Sequence, residues 1–210
     1  MNTPYKAEQF WDRTAKYYDG VEKKDELTYS NFIEKVRKYL RVNDIVIDFG
    51  CGTGLVCNEI ADQVKMIYAI DISSKMLEIA SNKAVGRQIQ NIEFLQTTLF
   101  DERLKPGSFD AILVVNILHL LEDPQKDIHR IYELLKPGGF IISATPCMGE
   151  RPVLNSLFSV GSTIGIMPKI KSFKISELER LFIQEKFEPI ETGRLKKKSP
   201  QYFTIAEKLK

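Results

Sequence analysis

The sequence predicts an α/β fold: five parallel strands closed by an antiparallel C-terminal pair, with helices on both faces. Three observations predict it. Ile45 to Phe49 is apolar apart from Asp48, the pattern of a short strand buried on both faces. It runs directly into glycines at 50, 52 and 54, and Leu55 to Gln63 then has helical spacing, which is the opening βα unit of a doubly wound sheet. Further strand-like runs alternate with helical ones, and the last two strand-like runs are joined by a turn alone.

Composition narrows the class. The 210 residues are 43% hydrophobic and 28% charged, as in one globular domain with modest appendages. Lys and Arg number 30 against 28 Asp and Glu, a formal +2, so no broad basic surface for nucleic acid is expected. The basic run from Arg194 to Lys198 reads as a solvated turn. Cys51, Cys57 and Cys147 form no Cys-x-x-Cys pair, and one would be left over from any disulfide. Without a signal-like start or an apolar run of ~18 residues, the expectation is a cytoplasmic protein with no membrane span. No acidic residues stand at metal-ligand spacing, so no metal site is expected. Oligomeric state is left open.

Taken in order, Tyr5 to Asp19 has Phe10, Trp11, Ala15 and Tyr18 at helical spacing, an amphipathic helix. Leu27 to Leu40 is a second. After the glycine turn, Met66 to Ile70 is a buried strand ending in Asp71, 17 residues beyond Gly54, the length of one crossover and one strand. That puts the Asp71 carboxylate at the ligand-binding edge, where it could accept from paired hydroxyls. It could also serve the N-terminus of the helix from Ser74 to Lys83, and both could hold. Asn91 to Leu95 is the third strand and Phe109 to Val115 the fourth. Gln125 to Leu135 is the next helix, stopped by Pro137-Gly138-Gly139, with the fifth strand starting at Phe140. A helix follows from Lys174, capped by Ser176 with Glu179 three residues on. Phe187 to Thr192 and Gln201 to Ala206 are the closing pair.

The glycines do not fit the dinucleotide fingerprint, because its third glycine falls on Leu55 or Cys57, nor the phosphate loop ending in Gly-Lys-Ser/Thr. Asp48-x-Gly50-x-Gly52-x-Gly54, Phe109-Asp110-x-Ile112 with Leu118-His119-x-Leu121, and Leu135-Lys136-Pro137-Gly138-Gly139 instead resemble the class I S-adenosylmethionine-dependent methyltransferases, in particular the small-molecule, ubiquinone- and menaquinone-methyltransferase-like type. The resemblance covers nearly the whole chain. It implies a Rossmann-like seven-stranded sheet and methyl transfer from S-adenosylmethionine, leaving S-adenosylhomocysteine, to a small, partly apolar acceptor.

The resemblance also implies a site. Asp48, Gly50, Cys51, Gly52 and Gly54 would form the loop under the cofactor, and Asp71 with Ile72 would meet its ribose. Met76 would pack at the adenine edge, though core packing explains it equally well. An acid usually stands where this chain has Thr98; the hydroxyl, assisted by a neighbour such as Asp101, would meet the adenine amino group and the Leu99 amide the ring. Asn116, at the turn after strand four, would also meet the cofactor. Tyr18 would close over the methionine end, or merely cover the core. His119 would be the general base, or would fix its loop. Residues 1–41 would be a helical cap, 42–146 the cofactor core, 147–172 an acceptor lid or a packing surface, and 173–210 the closing elements. Three rivals stand beside this reading: binding of the cofactor without catalysis, a nicotinamide-dependent oxidoreductase, and a macromolecule methyltransferase. Against the last, Asn116 is followed by Ile117-Leu118 and not by Pro-Pro-aromatic.

Overall fold

In the computed structural model, the structure describes residues 4–22, 26–151, 170–197 and 199–209. Two helices, α1 (Pro4–Glu22) and α2 (Glu26–Tyr39), precede β1 (Ile45–Phe49). There follow a short α3 (Cys57–Ile60), β2 (Met66–Asp71), α4 (Ser74–Gly86), β3 (Ile92–Gln96) and β4 (Phe109–Val115). The chain continues through α5 (Pro124–Leu134), β5 (Leu135–Pro146), α6 (Ile175–Gln184), β6 (Phe187–Arg194) and β7 (Gln201–Lys208).

The strands form one seven-stranded sheet in the order β3-β2-β1-β4-β5-β7-β6. β1 pairs in parallel with both β2 and β4, and β7 lies antiparallel to β5 and β6. The chain reverses direction across the sheet between β1 and β4, which opens a crevice at the C-terminal ends of those strands. Side-chain alternation divides the core. Ile47, Ile112 and Val114 pack with Ile128, Ile131 and Leu134 of α5 and Phe182 of α6. Val46 and Leu113 face the other way, against Phe32 and Val36 of α2 and Ile60 of α3. Asp48 shares that second face, which determines its surroundings below.

Three local expectations are corrected. The helix expected from Leu55 begins only at Cys57, because Gly52 (φ +53°) and Gly54 (φ +74°) hold the chain in a turn. Pro137-Gly138-Gly139 does not stop a helix: α5 has ended at Leu134, and these residues lie within β5. They form a bulge, with pairing jumping from Phe109–Leu135 to Ala111–Phe140, and Gly138 at φ +79° supplies the left-handed turn it needs. Finally, α6 is capped two residues early: Glu177 accepts from the Lys174 N–H at 2.9 Å, so Ser176 and Glu179 are not the box.

The segment expected to cover the acceptor lies mostly outside the described residues, including Val153, Leu154, Leu157, Phe158, Val160, Ile164, Ile166 and Met167. Among the described residues, no helix is long and apolar enough to cross a membrane. All three cysteines are buried and free.

Candidate active site

The crevice at the strand ends is a cleft of about 890 Å³, well within the range of small-molecule sites. Its floor is the glycine turn. Gly50 and Cys51 N–H groups both donate to the Ile70 carbonyl, tying the turn to β2. Gly50 and Gly52 line the cleft and Gly54 does not. The difference is steric: a Cβ on Gly52 would meet only the Tyr18 ring, at 3.8 Å, so its cleft side is open. A Cβ on Gly54 would lie 2.5 Å from Asn58 Nδ2 and 2.9 Å from Ala80 Cβ, because there the turn packs on α4.

Asp71 stands at the end of β2 and plays both structural parts its position allows. Its Oδ2 accepts from the Gly52 N–H at 2.9 Å, and its Oδ1 from the Ser73 N–H at 2.8 Å. Each oxygen keeps a lone pair for a ligand hydroxyl. Burial pushes its pKa up, against the backbone donors, which pull it down. Ser73 is the true N-cap of α4, accepting from the Met76 N–H at 3.1 Å.

The roof is α1. Ala7, Trp11 and Tyr18 line the cleft, Trp11 and Tyr18 packing edge to face at 6.2 Å. Polar contacts fix this helix to the floor. Asp12 accepts from the Ser73 hydroxyl at 2.6 Å, and Asp19 accepts from the Thr53 hydroxyl at 2.5 Å. Lys83 of α4 pairs with Asp19 at 2.5 Å and donates to the Thr53 carbonyl at 2.9 Å.

At the end of β4, Asn116 takes the left-handed conformation at φ +54°, which asparagine tolerates better than most residues. Its side-chain oxygen accepts from Gln201 Nε2 at 2.7 Å, so β7 orients it from behind. Thr97, Thr98 and Phe100, after β3, complete that wall with Leu121, Asp123, Lys126 and Asp127 around the start of α5.

The cleft thus brings together Tyr18, Gly50, Gly52, Asp71, Ile72, Met76, Thr98 and Asn116 from the sequence-based set. Asp48, Cys51, Gly54, Leu99 and His119 are not among its lining residues. Asp48 is 2% exposed behind the glycine turn beside Cys57, its Oδ2 buried without a hydrogen-bond partner among the described residues. Burial raises its pKa to about 7. Leu99 is core, and its carbonyl accepts from Arg130 Nε at 3.2 Å. Asp101 is unavailable as an aid to Thr98, because Arg103 and the Thr97 hydroxyl occupy its carboxylate and hold its pKa low.

His119 is 9% exposed, with its Nδ1 buried and without a hydrogen-bond partner among the described residues. Burial lowers its pKa to about 4, so the ring is neutral at pH 7. Its main chain anchors the far side of the cleft, the carbonyl accepting from the Lys171 N–H at 2.6 Å. A lowered histidine pKa means that the unfolded chain binds the extra proton first, so stability falls as pH drops from 6.5 towards 4. The expected loss is on the order of 3 kcal/mol when complete. Urea titrations at pH 7 and pH 4.5 check this: His119→Gln should show a smaller pH-linked loss than wild type.

Among the described residues, no group of three or more His, Cys, Asp or Glu side chains is placed to hold a metal ion. Sequence reading missed Phe100, Lys126 and Asp127 as cleft residues. The available signal was the helical spacing of 123, 126, 127 and 130, which places them together on one flank of α5.

Comparison with known proteins agrees with this architecture. Residues 47–143 match the model of a methyltransferase domain family. A ubiquinone biosynthesis O-methyltransferase of Idiomarina loihiensis is 28% identical over 170 residues, 78% of this chain and 69% of that protein. One of Albidiferax ferrireducens is 26% identical over 127 residues, 59% of this chain. This chain spans 50% of that protein's length. In three dimensions, a Haloferax volcanii methyltransferase solved in complex with a methyltransferase activator superposes with a TM-score of 0.81 at 16% identity, covering 97% of each chain. Residues 47–143 are thus similar in sequence to methyltransferase domains, and the seven-stranded sheet built around them shares the fold of that Haloferax protein.

Proposed function

We propose that this protein transfers the methyl group of S-adenosylmethionine to a small, partly apolar acceptor. The observation that carries the reading is the single cleft that gathers the open side of Gly52, the Asp71 carboxylate, Ile72, Met76 and Thr98 beneath Tyr18. Those residues suit an adenosyl group with an amino-acid tail. Asp71 accepts from the ribose hydroxyls while its backbone bonds hold it in place. Ile72 and Met76 offer apolar surface to the purine, and the unobstructed face of Gly52 lets the chain of the ligand lie against the main chain.

The bound cofactor supplies an electrophilic methyl on a sulfonium, with a neutral thioether as the leaving group. The protein's share is proximity and alignment. Tyr18 and Trp11 close the cleft from above, held by Asp12 and Asp19, and so exclude water from the transfer. Asn116, fixed by Gln201, borders the acceptor side. His119 does not line the cleft and is given no part in this reading. Apolar Ile117, Leu120 and Leu121 line the same cleft as Glu122, Asp123 and Lys171, in keeping with an acceptor of mixed polarity. The relatives are named O-methyltransferases, so oxygen is the first acceptor atom to try. The buried free cysteines fit a reducing compartment such as the cytoplasm.

The test is turnover: purified protein, methyl-labelled S-adenosylmethionine and a panel of catechols, phenols, amines and thiols. Label transferred to one class, with stoichiometric S-adenosylhomocysteine, is the expected result. Tight cofactor binding with no transfer to any class would favour a binding protein without catalysis.

A further inference from the structure

Position 98 carries a threonine where the resembling family carries an acid, and α5 brings other carboxylates to the same cleft. Helical spacing places Asp123, Lys126, Asp127 and Arg130 on one flank of α5. That flank packs on the loop after β3. Arg130 donates to the carbonyls of Leu99 and Leu104 at 3.2 and 3.0 Å. Lys126 Nζ lies 4.7 Å from the centre of the Phe100 ring. Asp127 sits between these two anchors and lines the cleft together with Thr97, Thr98 and Phe100.

Of the other acids near this wall, Glu122 is exposed and two are committed elsewhere. Asp101 is held by Arg103 and Thr97, and Asp123 caps α5 by accepting from the Lys126 N–H at 3.1 Å. Asp127 is half-buried, and no hydrogen-bond donor among the described residues takes its carboxylate. Its raised pKa of about 6, caused by burial and then by Asp123, still leaves it ionised at pH 7.5. A desolvated, ionised and unpaired acceptor calls for a donor on the ligand.

The geometry points to Asp127 as the residue that accepts the exocyclic amino group of the cofactor's adenine, doing from α5 what the residue after β3 does not do here. This rests on the proposed use of S-adenosylmethionine. Thr98 is left to its own loop, where its hydroxyl accepts from the Phe100 N–H at 3.4 Å. Adenine selectivity in this chain would therefore depend on the seating of α5 against the 97–104 loop.

The test compares S-adenosylhomocysteine with S-inosylhomocysteine, which carries a carbonyl in place of the amino group, by calorimetric titration at pH 7.5. Wild type should prefer the adenine form by roughly tenfold or more, the worth of one charge-assisted hydrogen bond. In Asp127→Asn the preference should fall to about threefold or less, while the inosine form binds as before or better, since an amide offers a donor as well as an acceptor. Adding Thr98→Asp to Asp127→Asn should restore the preference. A merely structural Asp127 would weaken both ligands together and leave their ratio untouched, and that result would overturn the assignment. Failure of wild type to bind S-adenosylhomocysteine at all would instead remove the cofactor reading on which it rests.

Discussion

Asp71→Ala is expected to weaken binding of S-adenosylhomocysteine by about 100-fold or more, since a hydrogen bond to a charged group contributes roughly 1.5–3 kcal/mol and two ribose hydroxyls would lose their acceptor. The substitution also removes the acceptor for the Gly52 and Ser73 N–H groups, which order the floor of the cleft. The two effects are separable. Loss of floor order weakens every ligand, whereas loss of the ribose contact acts only on ligands with both hydroxyls. Against the 2′-deoxy analogue, wild type should lose about tenfold or more relative to the parent compound, and Asp71→Ala should lose almost nothing further. Asp71→Asn is the intermediate case: its amide keeps one acceptor oxygen, but its NH₂ would face a backbone donor.

Gly54→Ala should destabilise the fold by roughly 2–5 kcal/mol, combining about 1–2 for a left-handed conformation with about 1–3 for overpacking. The residue sits at φ +74°, and the new methyl would lie 2.5 Å from Asn58 Nδ2 and 3.2 Å from Ala80 Cα. Asn58 cannot retreat cheaply, because the same nitrogen donates to the carbonyls of Gly54 and Ala80 at 2.8 and 3.3 Å. The Ala80 backbone belongs to α4 and cannot retreat alone. Against a typical total of about 5–15 kcal/mol, this is a large fraction. Gly52→Ala is the informative contrast. Its φ is +53°, but its added methyl would meet only Tyr18, at 3.8 Å. It should cost stability only the conformational part, about 1–2 kcal/mol, while obstructing the cleft. Urea unfolding of both variants, with ligand titration of Gly52→Ala, separates the glycine that packs from the glycine that binds.

The strand core was legible because burial on both faces leaves a plain mark: apolar runs such as Ile45 to Phe49 and Phe109 to Val115, followed by the turn residues Gly50 and Asn116. Asp71 could be placed at the cleft by counting alone, since one crossover and one strand have a narrow range of lengths. Partner choice was not legible. Pro137-Gly138-Gly139 carries the local signature of a helix stop, yet pairing of β5 with both β4 and β7 draws those residues into a bulged strand. For His119, residue type suggested proton transfer, while the burial that keeps it neutral depends on packing between loops distant in sequence. The glycines read as three equal members of one motif, and only the position of Ala80, 26 residues on from Gly54, sets the third apart. Asp127 was hidden for the same reason. Its place at the adenine wall comes from Arg130 and Lys126 docking α5 on a loop one strand away.

The central claim is that the cleft beneath Tyr18 is an adenosyl-methionine site, and the most direct test is calorimetric titration of S-adenosylhomocysteine into the wild-type protein with NADH as competitor. The account predicts micromolar or tighter binding at one site per chain, unchanged by NADH. No heat of binding, or displacement by NADH, would contradict it and assign the glycine turn to another ligand.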